Sequence, residues 1–448
     1  MRFAEKHKEI IGRWGGLPAV RSNGSFNFFD QGIVLELTTE KEINRIARDG
    51  RPDEQFKLIQ DVHVTAYHEY RHWLDMTSSI YGLSWLKQLL LINELKAQRS
   101  DDFVLNCKQA AMKATAIRLP HYYSRHDSLD NGRPWQALPT VGRAFNLDDK
   151  PSEQFPIWFV TFFNSKGDSL VRQPLSMASL LESRAVFAEI EAFSIYAGSR
   201  VIPPMHLQTA EVLFNRNLFG RVYSPQLSVY SVAAHWLANN QVQNDVVTAY
   251  LIASHLAGFC LDAPSRWLKT LRPSAAFRTL VPEGVELMER SLANEDRSAL
   301  FFMLAIDKRL TRNEDFRTSI DQLLNEEWQV TLEDLKAESQ TESVKILDEI
   351  TAMSCGGLSK FFTSLQHNLR MKYQGTQSMV RLPEFKLPAV ILKDENLFNV
   401  FTFNQRGSVL EHNVFDPRPH MERFFRIEDS VRKNGKFTSY GPRCFVEK

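Results

Sequence analysis

Apolar residues return every three to four positions from Asp53 to about Ser79 and again from Trp85 to about Ala97, a period that predicts two successive helices with Gly82 between them. Phe56, Leu58, Ile59, Val62, Ala66, Tyr67, Tyr70, Trp73, Leu74 and Met76 leave the first helix little polar surface, so it belongs inside a core. Upstream, residues 26–29 and 32–37 read as a strand or strand pair between turn-forming residues, and Thr39-Glu-Lys-Glu42 has the spacing of a capping box. From Ser124 to Glu153 the composition shifts toward Asp, Asn, Gly, Pro and Arg, as in a long surface loop or insertion. The aromatic run 155–163 predicts a buried strand, and Ser176 to Gly198 predicts a helix ended by its glycine. Helices are predicted at 206–218, 227–239, 245–261, 285–297, 298–310, 316–328, 332–338 and 341–353, then strands at 389–392 and 398–403. No fixed period repeats, so a solenoid is not indicated. The fold class is α+β, mainly helical, with a small sheet and a helical C-terminal half.

The 448 residues, 43% of them hydrophobic, suffice for a large core divided into two or three substructures. Lys plus Arg (54) balances Asp plus Glu (53), so no global field attracts nucleic acid or an anionic membrane. The first residues lack the apolar stretch of a secretory signal and no later segment is apolar long enough to span a bilayer, so a cytoplasmic protein is expected. Cys107, Cys260, Cys355 and Cys444 are far apart, which argues against a zinc ribbon or a disulfide framework and for buried free thiols.

Within the first helix lies His68-Glu69-Tyr70-Arg71-His72. Four residues turn a helix to within about 40° of its starting direction, so both imidazoles can grip one ion. Zinc held this way leaves room for a water, and Glu69 beside the first ligand can take that water's proton as it attacks a carbonyl. The bland alternative is a partly solvated helix whose histidines make local polar contacts. His63, about 140° around the helix from His68, is not a ligand. Asp75 shares the face of both histidines and is a candidate acceptor for an outer ring N–H; its alternatives are an ion pair with Arg71 or direct ligation.

The motif resembles that of the zincin metallopeptidases. Together with Glu182-Ser-Arg-Ala185 on a later helix it resembles the gluzincin branch, in which such a glutamate completes the zinc site and a small residue three positions on lets the helices press together. The resemblance covers only these two helices. It implies His68, His72 and Glu182 as zinc ligands and Glu69 as general base. The chain departs from the best-known gluzincins in having 109 residues between His72 and Glu182, and in placing Val186 where thermolysin-like enzymes have an aspartate that orients a histidine. Glu189, seven positions after Glu182 and so on about the same face, is a candidate substitute. Tyr196, His206, Tyr223, Tyr230 and His235 are candidates to stabilise an oxyanion. In zincins a strand beside the active helix often pairs with an extended substrate, a role open to 155–163 alongside that of an ordinary core strand.

The expected organisation is a zincin-like catalytic core over residues 1–200 with an insertion at about 98–153, a helical subdomain over 201–380 and an α+β extension over 381–448. Pro442-Arg443-Cys444 resembles the zinc-capping tripeptide of matrix metalloproteinase propeptides, on three residues alone. Arg418 to Arg426 is locally basic and aromatic, but without a net basic domain it reads as a packing or partner patch rather than a nucleic-acid site. Two function classes follow. One is a zinc-dependent hydrolase acting on protein or peptide; the other is a noncatalytic interaction protein on a zincin-like scaffold.

Overall fold

The chain is mainly helical with small sheets, an α+β fold. The computed structural model describes residues 2–14, 23–119, 123–126, 135–145, 151–198, 204–241, 245–311, 315–353, 357–375, 379–402, 414–435 and 444–446. Among them no single helix is long and apolar enough to cross a membrane.

The chain divides into two compact units, each discontinuous in sequence. One comprises Met1–Ala114, Ala185–Leu218 and Ser343–Lys436; the other comprises Thr115–Arg184, Phe219–Glu342 and Phe437–Lys448. Hydrophobic periodicity suggests contiguous stretches instead, because it carries no record of which distant segments share a core. In the first unit the distant segments close around one buried helix. The Tyr70 hydroxyl donates to the Pro388 carbonyl at 3.0 Å, its ring stacks on Phe401, and Lys372 donates to the Ser78 carbonyl at 2.7 Å, where a cation suits a helix C-terminus.

That helix, Thr65–Ser78, carries the histidine motif, and all but two of its residues are buried. It continues a helical run that starts at Pro52, interrupted by a π-helical stretch over Ile59–Val64. The run therefore matches the predicted helix from Asp53 to about Ser79, with a local widening that residue spacing does not encode. In front of it stands a four-stranded sheet ordered Ser25–Phe26, Ile33–Leu35, Val390–Leu392 and Leu397–Phe398. The capping box at Thr39 forms as read, opening the helix Glu40–Asp49.

Gly82 is not the break between the two helices. The turn falls at Ser79, whose extended backbone and hydroxyl cap the helix Ile80–Gln98, with the Gly82 N–H donating to Ser79 Oγ at 3.0 Å. Gly82 sits in the first turn because a Cβ there would lie 2.4 Å from the carbonyl carbon and oxygen of Met76. Backbone cannot give way as a side chain tip can. Gly82→Ala is therefore expected to destabilise the first unit by about 1–3 kcal/mol, as overpacking does. Urea unfolding of wild type and variant reads this, and an unchanged midpoint would contradict the close approach.

In the second unit a five-stranded sheet runs Cys444–Val446, Gln136–Phe145, Pro151–Phe163, Ser169–Pro174 and Arg125–His126. Residues 136–145 correct the loop reading of 124–153: they form a strand in antiparallel register with 151–163, Ala137 facing Phe162 and Val141 facing Trp158. Pro139 and Gly142 disguise that strand in the sequence. Residues 127–134 and 146–150 of the same stretch lie outside the described residues. The expected insertion at about 98–153 also contains the helix Asp102–Ile117, whose buried face is mostly Cys107, Ala110, Ala111 and Ala114, too small to give a strong periodic signal. The strand Pro151–Phe163 is paired on both sides, so it is a central strand and not an edge for substrate. Trp158 packs between Phe277 and Phe302 and donates to Ser291 Oγ at 3.2 Å, which anchors the helix Val285–Ala293 on the sheet.

Candidate metal centre

His68, His72 and Glu182 come together: one ligand atom from each lies within 4.8 Å of the others, and all three side chains are buried. The histidines share a face of Thr65–Ser78, and their Nε2 atoms are 3.1 Å apart. Two nitrogens bound to one zinc at about 2.05 Å in a tetrahedral arrangement stand about 3.3 Å apart, so the spacing fits a shared cation. It fits equally a hydrogen bond from one ring to the other. Glu182 comes from the helix Met177–Gly198.

Three residues on that helix, seven apart, meet the motif helix in succession. Glu182 lies by the histidine pair, Glu189 Oε1 accepts from His68 Nδ1 at 2.7 Å, and the Tyr196 ring contacts His63 and Tyr67 at 5.3 and 6.3 Å. Residues seven apart return to nearly one face of a helix, so a single stripe supplies all three. Buried Ala185 leaves room beside it. Because a carboxylate can only accept, His68 carries its proton on Nδ1 and a neutral ring turns its Nε2 lone pair toward His72. This is the orienting bond a ligand histidine needs, and Glu189 makes it. Asp75 instead accepts from Arg71 Nε at 3.1 Å and pairs with its Nη2, the ion-pair alternative for that residue.

Glu69 is buried next to His68, and Gly24 presses on it: a Cβ at Gly24 would come 3.3 Å from Glu69 Cγ and 2.6 Å from Thr65 Cγ2. The adjoining strand Ser25–Phe26 is the outermost of its sheet among the described residues, and the Phe26 ring lies 6.1 Å from that of His72. A buried network unmarked by any sequence motif holds this strand. His7 Nδ1 donates to Asp30 at 2.9 Å and its Nε2 meets Ser25 Oγ at 3.2 Å. Burial opposes a charge on His7, but Asp30, with Glu36 and Glu69 adding, raises its pKa.

Arg118 is a second residue that sequence reading missed. Burial disfavours its charge and lowers its pKa, while Glu182 and Tyr230 favour the charge, so the guanidinium stands near the carboxylate ligand candidate. At the end of an alanine-rich helix it had no motif to mark it. The other oxyanion candidates divide. Tyr196 bonds Tyr67, whose hydroxyl burial pushes up to about 12. Tyr223 and His235 belong to an aromatic cluster with Trp135, where the His235 ring stacks at 5.4 Å and its Nε2 donates to the Val222 carbonyl at 2.9 Å, a packing role. The His206 side chain and residues 442–443 lie outside the described residues.

Chemically, two imidazoles and a carboxylate match the donor set of hydrolytic zinc sites, with a second carboxylate beside the first ligand and a third behind it. Comparison with known proteins gives no match to any family model, curated protein or solved structure.

Proposed function

We propose that this chain is a zinc-dependent hydrolase, a metallopeptidase on a zincin-like core that cleaves peptide bonds in a protein or peptide substrate. The observation that carries the reading is the convergence of His68, His72 and Glu182 within 4.8 Å, with Glu69 adjacent in the same helix. Zinc, when bound, acidifies a water and polarises the scissile carbonyl. Glu69 takes the proton of that water and returns it to the departing amine. Glu189 holds the His68 ring in its ligating orientation. Arg118, whose charge Glu182 favours, is the donor assigned to negative charge developing on the carbonyl oxygen. An extended substrate can align along the outermost strand Ser25–Phe26. Buried free thiols at Cys107 and Cys260 suit a reducing, cytoplasmic setting.

A specific observation favours the second reading, a noncatalytic scaffold with a structural ion. His68, Glu69 and His72 are only 7%, 3% and 0% exposed, so the cluster is sealed as structural sites are. The hydrolase requires the ion; the scaffold holds it as a structural ion or lacks it. Protein purified without chelator is expected to hold about one zinc per chain, and His68→Ala or His72→Ala to lose most of it, since two remaining ligands retain a labile ion poorly. Elemental analysis reads the content. A metal-free protein that takes up no added zinc at neutral pH would sink the hydrolase and leave the scaffold without an ion.

A further inference from the structure

The helix Ile80–Gln98 and the C-terminal helix Arg418–Asn434, both in the first unit, share a recess of about 190 Å3 that the metal centre does not use. Its polar lining is Asn93 and Lys96 from the first helix and Arg423, Arg426 and Ser430 from the second, with no carboxylate among the lining residues. Positions 423, 426 and 430 fall on one helix face, as do 93 and 96, so the cations are gathered there by the helical repeat of this basic segment.

Their hydrogen bonding leaves two of the three cations uncompensated. Lys96 Nζ donates at 2.9 Å to Ser430 Oγ, a neutral acceptor. Arg426 bonds Glu422 at 2.8 Å on its own helix. Among the described residues Arg423 has neither a carboxylate nor a hydrogen-bond partner, and its Nε is buried. Elsewhere in the unit the arginines Arg13 and Arg71 are each paired with acids. Two uncompensated cations beside one small concavity repel each other and gain most from a multivalent anion between them. A guanidinium, an ammonium, a hydroxyl and an amide directed at one recess suit a tetrahedral oxyanion, whose several oxygens accept from different sides.

We propose that this recess binds the phosphoryl group of a small phosphate monoester. Binding is measured by titration calorimetry at constant ionic strength with inorganic phosphate and with adenosine 5′-monophosphate, chloride being the reference anion. The full-length chain carries His68→Ala, so that phosphate cannot be held at the metal centre and the outcome is separate from the zinc reading. Saturable binding at one site is expected for both probes, and Arg423→Gln weakens it by about 10- to 100-fold, the loss of a charged hydrogen bond. The same variant keeps its unfolding midpoint in chloride, since among the described residues Arg423 makes no hydrogen bond or ion pair. Equal affinity for the two probes assigns recognition to the phosphoryl group alone; tighter binding of the nucleotide assigns it to the whole monoester. Absence of saturable binding, binding unaltered in both Arg423→Gln and Lys96→Gln, or binding of a single-stranded oligonucleotide that inorganic phosphate does not displace would overturn the proposal.

Discussion

Glu69→Gln is expected to keep the fold and the zinc and to lower hydrolysis by about 100- to 10,000-fold, the usual loss when a general base is removed. The amide has nearly the shape of the carboxylate, which matters at a buried position against which Gly24 is packed. It cannot accept the proton of the attacking water. His68, His72 and Glu182 are untouched, so zinc content serves as the internal control. A substrate is found by incubating wild type and variant with a cell lysate and comparing newly formed peptide termini. Termini that appear with wild type and vanish with Glu69→Gln at equal zinc occupancy support the hydrolase. Equal termini from both proteins would exclude Glu69 as the base. A zinc-loaded wild type that produces none would favour the scaffold reading, which the burial of the motif already recommends.

The parts of the site legible in sequence were those written in short-range spacing. Two histidines four apart had to share a helix face, and Glu182 and Glu189 seven apart had to share another; the structure brings the two faces together. What spacing could not carry was long-range. His7 and Asp30 are 23 residues apart and Arg118 lies 64 residues before Glu182, so neither relation has a periodic signature. The strand 136–145 was hidden by Pro139 and Gly142, and the helix Asp102–Ile117 by its small buried residues. The basic segment at 418–426 read as a packing or partner patch; as part of the helix Arg418–Asn434 it places Arg423 and Arg426 at a recess, which spacing alone did not reveal. At Asp75 even short-range spacing is ambiguous, since it suits a ligand histidine and Arg71 equally well, and in the structure Asp75 accepts from Arg71.

Acid is expected to destabilise the fold steeply between about pH 6 and 4.5, beginning above the range in which most carboxylates protonate. His63, His235 and His420 are each enclosed so that burial holds their pKa down, to about 3, about 4 and about 4. Bonds to the Val222 and Gln31 carbonyls offset this only in part for His235 and His420. In the unfolded chain all three return to about 6.5. As pH falls below that value the unfolded state takes up protons the folded state refuses, and each histidine removes up to about 1.4 kcal/mol of stability per pH unit. His63 and His420 act on the first unit; on the second His235 is joined by His255, whose pKa burial and the nearby Arg184 also lower, so both units lose stability as the pH falls. His7 has the opposite sign. Its pKa is raised, so its contribution is complete below about 6.5 and is lost as pH rises through its folded value, adding nothing to the acid slope. Urea unfolding at pH 7, 6 and 5, on His68→Ala protein so that release of an ion does not enter, measures the slope. His420→Leu, which keeps an apolar side chain against Phe361, removes one proton from it. Equal unfolding free energies at pH 7 and 5, or a slope unmoved by His235→Leu and His420→Leu alike, would show that these rings are not held neutral by the fold.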